Sequence, residues 1–196
     1  MNKIVETDIT QSVHKERTLS SGNFDIGAHN EHKEWYAVYT NVRHEKAVNR
    51  SIEKRGIETF LPLRDVVSQW IDRKKRIQLP LFPGYLFVRI HPLDSLAIFQ
   101  VLNTRGVVRI LSANGRLQPV PNDQIDSVRK FLEAKMESDP YPYFEEGKEV
   151  RVINGPLAGI TGKVLSGKGN KRLVISIDII KRSVAVDINT ADIELV

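Results

Sequence analysis

The sequence predicts an α+β protein: an N-terminal sandwich whose helices flank an antiparallel sheet, followed by a small β-barrel. Three observations carry this. Residues 34–136 alternate β-branched and aromatic runs with segments of helical period. The stretch ESDPYPYFEE (137–146) has two prolines and no period, and reads as a linker. Beyond it, from 147 to 196, short β-branched runs are divided by glycine, the pattern of a barrel.

The first 33 residues are polar, with few large apolar groups to offset the entropy of ordering, so they read as a mobile tail. Trp35 to Thr40 opens the sandwich as a strand. A helix is expected from Arg43 to Arg55, stopped at Gly56. At 100° per residue it turns Val48 and Ile52 to one side, and Arg43, Lys46, Arg50 and Lys54 fall within about 80° of one another on the other. Ile57 to Leu63 reads as a second strand closed by Pro62. Val66 to Ile71 and Ile77 to Leu79 read as hairpin arms whose tip, Asp72 to Arg76, carries the cations Arg73, Lys74, Lys75 and Arg76.

In LPLFPGYLFVRI (79–90), Pro80 and Pro83 exclude a helix, Gly84 permits a turn, and Tyr85 to Ile90 favours a strand. A short helix from Asp94 to Leu102 is expected to turn Leu96, Ala97 and Phe99 inward. Val107 to Leu111 returns as a strand and Asn114-Gly115 turns. Asn122 is then expected to cap a helix running to Met136, with Ile125, Val128 and Leu132 inward. The barrel strands are placed at Val150–Ile153, Thr161–Leu165, Leu173–Ile177, Ser183–Ile188 and Ile193–Val196. Gly155, Pro156, Gly159, Gly162, Gly167 and Gly169 oppose any helical alternative for this region.

Composition narrows the function classes. The net charge is +5, and residues 34–145 hold 17 Lys/Arg against 13 Asp/Glu, an excess that favours a polyanionic partner. With no cysteine there is no disulfide framework, thiolate nucleophile or Cys-ligated metal. No stretch approaches the roughly 20 apolar residues of a membrane span, and the N-terminal residues lack the apolar core of a secretion signal, so a cytoplasmic protein is expected; it is also expected to be a monomer.

Catalytic patterns are lacking: no nucleophile elbow, Walker loop, HExxH pair or carboxylate cluster occurs. Gly167-Lys168-Gly169 reads as a hairpin turn, since the spacing and following helix of a phosphate loop are missing. His29 and His32 read as solvated residues, and His44 and His91 stand apart from any Ser/Asp partner. No metal and no cofactor is expected, and the chain is not read as an enzyme.

The order Trp35-Tyr36-x-Val38-Tyr39, Phe82-Pro83-Gly84-Tyr85, Thr104-Arg105-Gly106-Val107, then NGPLAGITGKV (154–164), resembles the NusG family of transcription elongation and antitermination factors. The resemblance covers residues 34 to 196. It implies an NGN domain (34–136), a linker (137–146) and an SH3-like KOW barrel (147–196), the last on Gly147, Val150, Val152, Gly155-Pro156, Gly159, Gly162 and Val164. It also implies that the N-terminal domain grips the clamp helices of the RNA polymerase β′ subunit and favours the elongating form.

Carried over residue by residue, the resemblance makes Tyr39, Phe82, Pro83 and Tyr85 the polymerase contact, consistent with aromatic anchors at interfaces. Thr104 and Arg105 match positions that approach the non-template DNA strand, and Arg43, His44, Lys46 and Arg50 extend that basic surface, with Arg73 to Arg76 as a further phosphate-binding group. Ile179-Ile180-Lys181-Arg182 aligns with the loop that engages ribosomal protein NusE or the termination factor Rho. The His-Thr-Thr triplet that RfaH uses beside the polymerase gate loop is replaced near Leu96-Ala97-Ile98-Phe99, a departure from the pattern at that contact.

PLFPGYLFV, Gln69-Trp70 and Asp72 to Lys75 are closer to the RfaH and UpxY branch, which serves long polysaccharide operons. The housekeeping factor remains the alternative within the family. Outside it, a ribosome-associated KOW protein that binds RNA would share the basic barrel but leaves Phe82-Pro83-Gly84-Tyr85 unexplained. The barrel is expected to be tethered without a large fixed interface to the first domain.

Overall fold

The computed structural model describes residues 32–70, 73–136, 139–142, 147–166 and 171–196. The expectations for the tail through residue 31, for the greater part of 137–146 and for the Gly167-Lys168-Gly169 turn lie outside the described residues.

β1 (Glu34–Thr40) is buried on both sides, because consecutive side chains of a strand point to opposite faces and both faces are covered. α1 (Glu45–Glu53) ends before Gly56, as its sequence signals. β2 (Glu58–Phe60) is shorter than the expected 57–63 run, which Pro62 interrupts. β3 (Leu63–Trp70) and β4 (Arg73–Pro80) form a two-stranded ribbon, and β5 (Tyr85–Ile90) returns to the sheet. α2 (Ser95–Leu102), β6 (Val107–Ile110), the small hairpin β7 (Ser112–Ala113) and β8 (Arg116–Leu117), β9 (Pro119–Val120) and α3 (Asn122–Glu133) complete the first unit. Its sheet runs in the order β2-β5-β1-β6, with β9 also on β1, and every pairing is antiparallel.

Two apolar layers hold this sheet. Tyr36, Val38, Leu86, Val88 and Ile90 meet Val48 and Ile52 of α1 and Ala97 and Val101 of α2 on one face. Trp35, Ala37 and Phe87 meet Ile125, Val128 and Phe131 of α3 on the other. Each large side chain so buried contributes about 1.5–3 kcal/mol.

Several elements differ from expectation. The cations Arg73 to Arg76 lie in β4, where Arg73 pairs with Trp70 and Arg76 with Val67, and not at a tip. An extended strand separates like charges by alternation, so the run need not be a loop. In α2 the inward pair is Ala97 and Val101, four apart, whereas Leu96 and Phe99 are exposed at 65% and 64%. The helix SLAIFQVL is apolar nearly all round, so hydrophobicity does not choose its buried side. Asp94 caps it, accepting the Ala97 N–H at 2.9 Å. Asn122 is the first residue of α3 and not its cap; Pro121 holds the cap position without a side-chain bond.

The second unit is a barrel of β10 (Asp139–Pro142), β11 (Lys148–Val152), β12 (Thr161–Ser166), β13 (Lys171–Ile177), β14 (Arg182–Ile188) and β15 (Ile193–Leu195), in the order β10-β14-β13-β12-β11-β15. Val150, Val152, Leu173, Ile175, Ile177, Val184 and Val186 fill it. β10 falls within the stretch read as a linker: Asp139 to Pro142 pair with Ala185 to Arg182 and extend the sheet by one strand.

The two units, expected to be tethered without a large fixed interface, also touch. α3 packs against β13. The Gln124 amide donates to the Asp178 carboxylate at 2.7 Å, and its carbonyl accepts the Asp178 N–H at 3.2 Å. The α3 side of the sandwich and the barrel interior form one continuous apolar cluster.

Candidate functional site

The turn between β4 and β5 is fixed by its own sequence. Tyr85 N–H donates to the Phe82 carbonyl at 3.1 Å, with Pro83 and Gly84 between them and Gly84 at φ +83°. Proline first and a positive-φ glycine second define a type II turn. The turn sets Tyr85 beside Tyr39, with ring centroids 5.2 Å apart and tilted by 46°, and the Arg109 guanidinium lies 5.7 Å from the Tyr39 centroid. Pro83 is exposed and both tyrosines are half-buried. Phe82 does not join them: at 1% exposure it packs with Leu81 and Phe87 in the core and is no surface contact. Leu81 and Phe82 face inward because the turn needs an anchor on the sandwich, which interface reasoning from an aromatic motif overlooks.

Arg43, His44, Lys46 and Arg50 of α1 and its approach are all exposed. Lys46 Nζ donates to the Gln78 carbonyl at 2.7 Å and so ties α1 to β4, where Lys75 and Arg76 are exposed. The side chains of Arg73 and Lys74 lie outside the described residues. Gly106, at φ +100°, brings its chain against α1: a Cβ there would meet Val48 at 3.0 Å and His44 at 3.1 Å. The positive φ and this close approach favour glycine, and the preceding Arg105 is exposed.

Thr104 is the exception, buried at 3%. Its hydroxyl donates to the Gln100 carbonyl at 2.8 Å and accepts from Arg55 at 2.9 Å, and Arg55 also bonds the Gln100 carbonyl. Thr104 therefore spends its hydroxyl at the end of α2 and is turned away from the surface.

In the barrel, Asp178–Ile180 forms a single 3-10 turn and Lys181 adopts φ +50° before β14 begins at Arg182. Ile180 is buried at 5% and Ile179 half-buried against the shared core, so the paired isoleucines are not the open patch expected. Arg182 is exposed. A half-open cavity of about 490 Å³ lies elsewhere on the barrel, between Lys148, Val150, Leu165, Lys171 and Ile193, and includes none of the expected site residues.

Sequence reasoning missed Glu45, Arg109 and Gln124. Glu45 carried a signal, since at 100° per residue it falls within about 20° of Ile52, on the apolar side of α1. Among the described residues no group of three or more His, Asp or Glu side chains could hold a metal ion, and no helix is long and apolar enough to cross a membrane.

Residues 33–129 match the family model described as transcription termination factor nusG. The transcription termination/antitermination protein NusG of Thermus thermophilus is 31% identical over 150 residues, covering 67% of this chain and 80% of that protein. The chain belongs to the NusG family. NusG of Pseudomonas aeruginosa is 27% identical over 176 residues, covering 84% of this chain and 99% of its own length. A solved structure of Thermotoga maritima NusG, concerned with its domain interaction, superposes with a TM-score of 0.51 at 23% identity, covering 83% of this chain and 97% of that one. The α+β architecture is therefore that of NusG, and this NusG-family protein is a non-enzymatic transcription termination/antitermination factor.

Proposed function

We propose that this NusG-family protein binds RNA polymerase through the surface of Tyr39, Pro83 and Tyr85, with the clamp helices of the β′ subunit as its partner. The observation that carries the reading is the tyrosine pair: two partly accessible rings in contact, presented by a specified turn, with a proline exposed at its crest. Amphipathic rings of this kind make interface anchors because they bury large area at small entropic cost. A factor that binds the closed clamp more tightly than the open one shifts the population toward elongation by their difference in affinity, with no bond made or broken.

α1, Arg105 and β4 are read as a basic surface for the non-template strand, with Arg43, His44, Lys46, Arg50, Lys75 and Arg76 as its cations. The barrel is read as a KOW domain whose Ile179–Arg182 segment recruits NusE or Rho. Because Ile180 is buried and Asp178 is bonded to α3, that recruitment requires the barrel to rearrange or leave α3. We assign the protein to the cytoplasm, as a monomer, and to the branch serving long polysaccharide operons. A gene position at the head of a capsule or exopolysaccharide cluster supports that assignment, and one beside translocase and ribosomal genes refers it to the housekeeping role.

The test is polymerase affinity. Tyr85→Ala should weaken binding by about 1–3 kcal/mol, the usual range for truncating an anchor. Unchanged affinity in a folded variant removes the rings from the interface.

A further inference from the structure

The type II turn at Phe82-Pro83-Gly84-Tyr85 leaves one buried group unanswered by the turn itself. Its single internal bond runs from the Tyr85 N–H to the Phe82 carbonyl. The Gly84 carbonyl accepts from the Thr40 N–H at 2.8 Å. The Gly84 N–H has no backbone acceptor in the turn, and its partner comes from 39 residues away: Oε1 of Glu45 accepts it at 2.7 Å. Glu45 is only 3% exposed, a position where a leucine or methionine would extend the apolar side of α1 without the cost of desolvating a carboxylate.

We propose that Glu45 is a positioning residue for the polymerase-binding surface: its carboxylate fixes the Pro83–Gly84 peptide in the type II orientation and so sets Tyr85 against Tyr39. This rests on the reading of that surface as the polymerase contact. Type I and type II turns differ chiefly by a flip of this central peptide, which reverses where its N–H points. A buried acceptor on the N–H side selects one of the two orientations. The selected one has Gly84 at φ +83° with its Cα side against the Tyr39 ring, where an added Cβ would lie 3.2 Å from Cε2. Glu45, Gly84 and the ring pair therefore act as one unit: the helix sets the peptide, the peptide sets the strand entry, and the strand entry sets Tyr85.

The experiment uses the full chain and purified core polymerase, with four single variants: Glu45→Ala, Glu45→Gln, Val48→Ala and Tyr85→Ala. Glu45→Gln keeps an acceptor oxygen at the same reach. Val48→Ala removes core volume from the same helix and controls for lost stability. In Glu45→Ala, exchange of the Gly84 amide measured by NMR should rise about tenfold or more relative to that of Leu86, and polymerase affinity should fall about tenfold. Glu45→Gln should restore both to within about threefold of the parent. Val48→Ala should leave Gly84 protected and affinity unchanged.

A Gly84 amide that keeps its parent shift and protection in Glu45→Ala overturns the proposal. So does a loss of affinity that Val48→Ala reproduces or Glu45→Gln fails to relieve. Parent affinity in Tyr85→Ala would instead bring down the polymerase reading, and the Gly84 amide would still decide whether Glu45 holds the turn.

Discussion

Gln124→Ala should loosen the barrel from α3. The side chain makes two bonds to Asp178, one to its carboxylate at 2.7 Å and one from its backbone N–H at 3.2 Å, and both lie at the surface. A bond to a charged group contributes about 1.5–3 kcal/mol when well sheltered and a neutral one about 1 kcal/mol, and water competes for both here. A loss of about 1–2 kcal/mol is expected, or roughly 5- to 30-fold in the docking equilibrium. Apolar contact through α3 and β13 remains, so the variant should populate an undocked form and not abolish docking. Amide relaxation on the full chain measures this directly: β1 and β13 should share one correlation time in the parent and diverge in the variant. Because Asp178 makes further contacts of its own, a double-mutant cycle with Asp178→Ala isolates the amide–carboxylate bond of the pair. The double variant should dock better than the sum of the single losses implies, by about 1 kcal/mol. Separate correlation times in the parent, or additive losses in the cycle, would refute the contact.

Arg43 holds φ +67° without being glycine, so Arg43→Gly should raise thermal stability by about 1 kcal/mol while reducing crosslinking to the non-template strand; a lower melting temperature would deny the strain. On α2, Val101→Ala should cost about 2 kcal/mol in a denaturant titration, and Phe99→Ala less than about 0.5 kcal/mol, the reverse of what their sizes suggest. Tyr36 is buried, donates its hydroxyl to Glu34 at 2.7 Å and feels that charge, all of which raise its pKa above the usual tyrosine value, burial most. Its phenol thus keeps its proton in the folded state after the unfolded chain has lost it. This contribution is intact below about pH 10 and declines as pH rises beyond it, and Tyr36→Phe should flatten that decline in equilibrium unfolding.

How legible these features are in the sequence depends on whether one local rule decides them. Tyr85–Ile90 emerges with its observed bounds because a positive-φ glycine turn precedes it and His91-Pro92 follows. The barrel strands emerge because β-branched runs between glycines admit few other conformations, and all five expected runs overlap strands of the structure. β10 does not, since Asp139-Pro140-Tyr141-Pro142 has no strand pattern and is ordered by β14 at its side. A proline-containing segment can serve as an edge strand where its missing N–H faces away from the ladder.

The candidate site is less legible because a residue's type does not say which way it faces. Phe82 and Tyr85 stand three apart in one aromatic motif, yet the turn sends the first to the core and the second to the ring pair. Thr104 and Arg105 are adjacent, and the helix end claims one while the other is exposed. Glu45 has the opposite history: a charge within a basic helix looks solvated until its phase with Ile52 is counted, and then it must have a buried partner. That partner is a backbone N–H left over by a turn 39 residues away, and which amide of a turn is left over follows from its type. Proline and glycine at 83 and 84 declare the type. A buried acidic residue at 45 and an orphaned amide at 84 are thus each deducible alone, and their pairing needs only the fold that brings α1 beneath the turn.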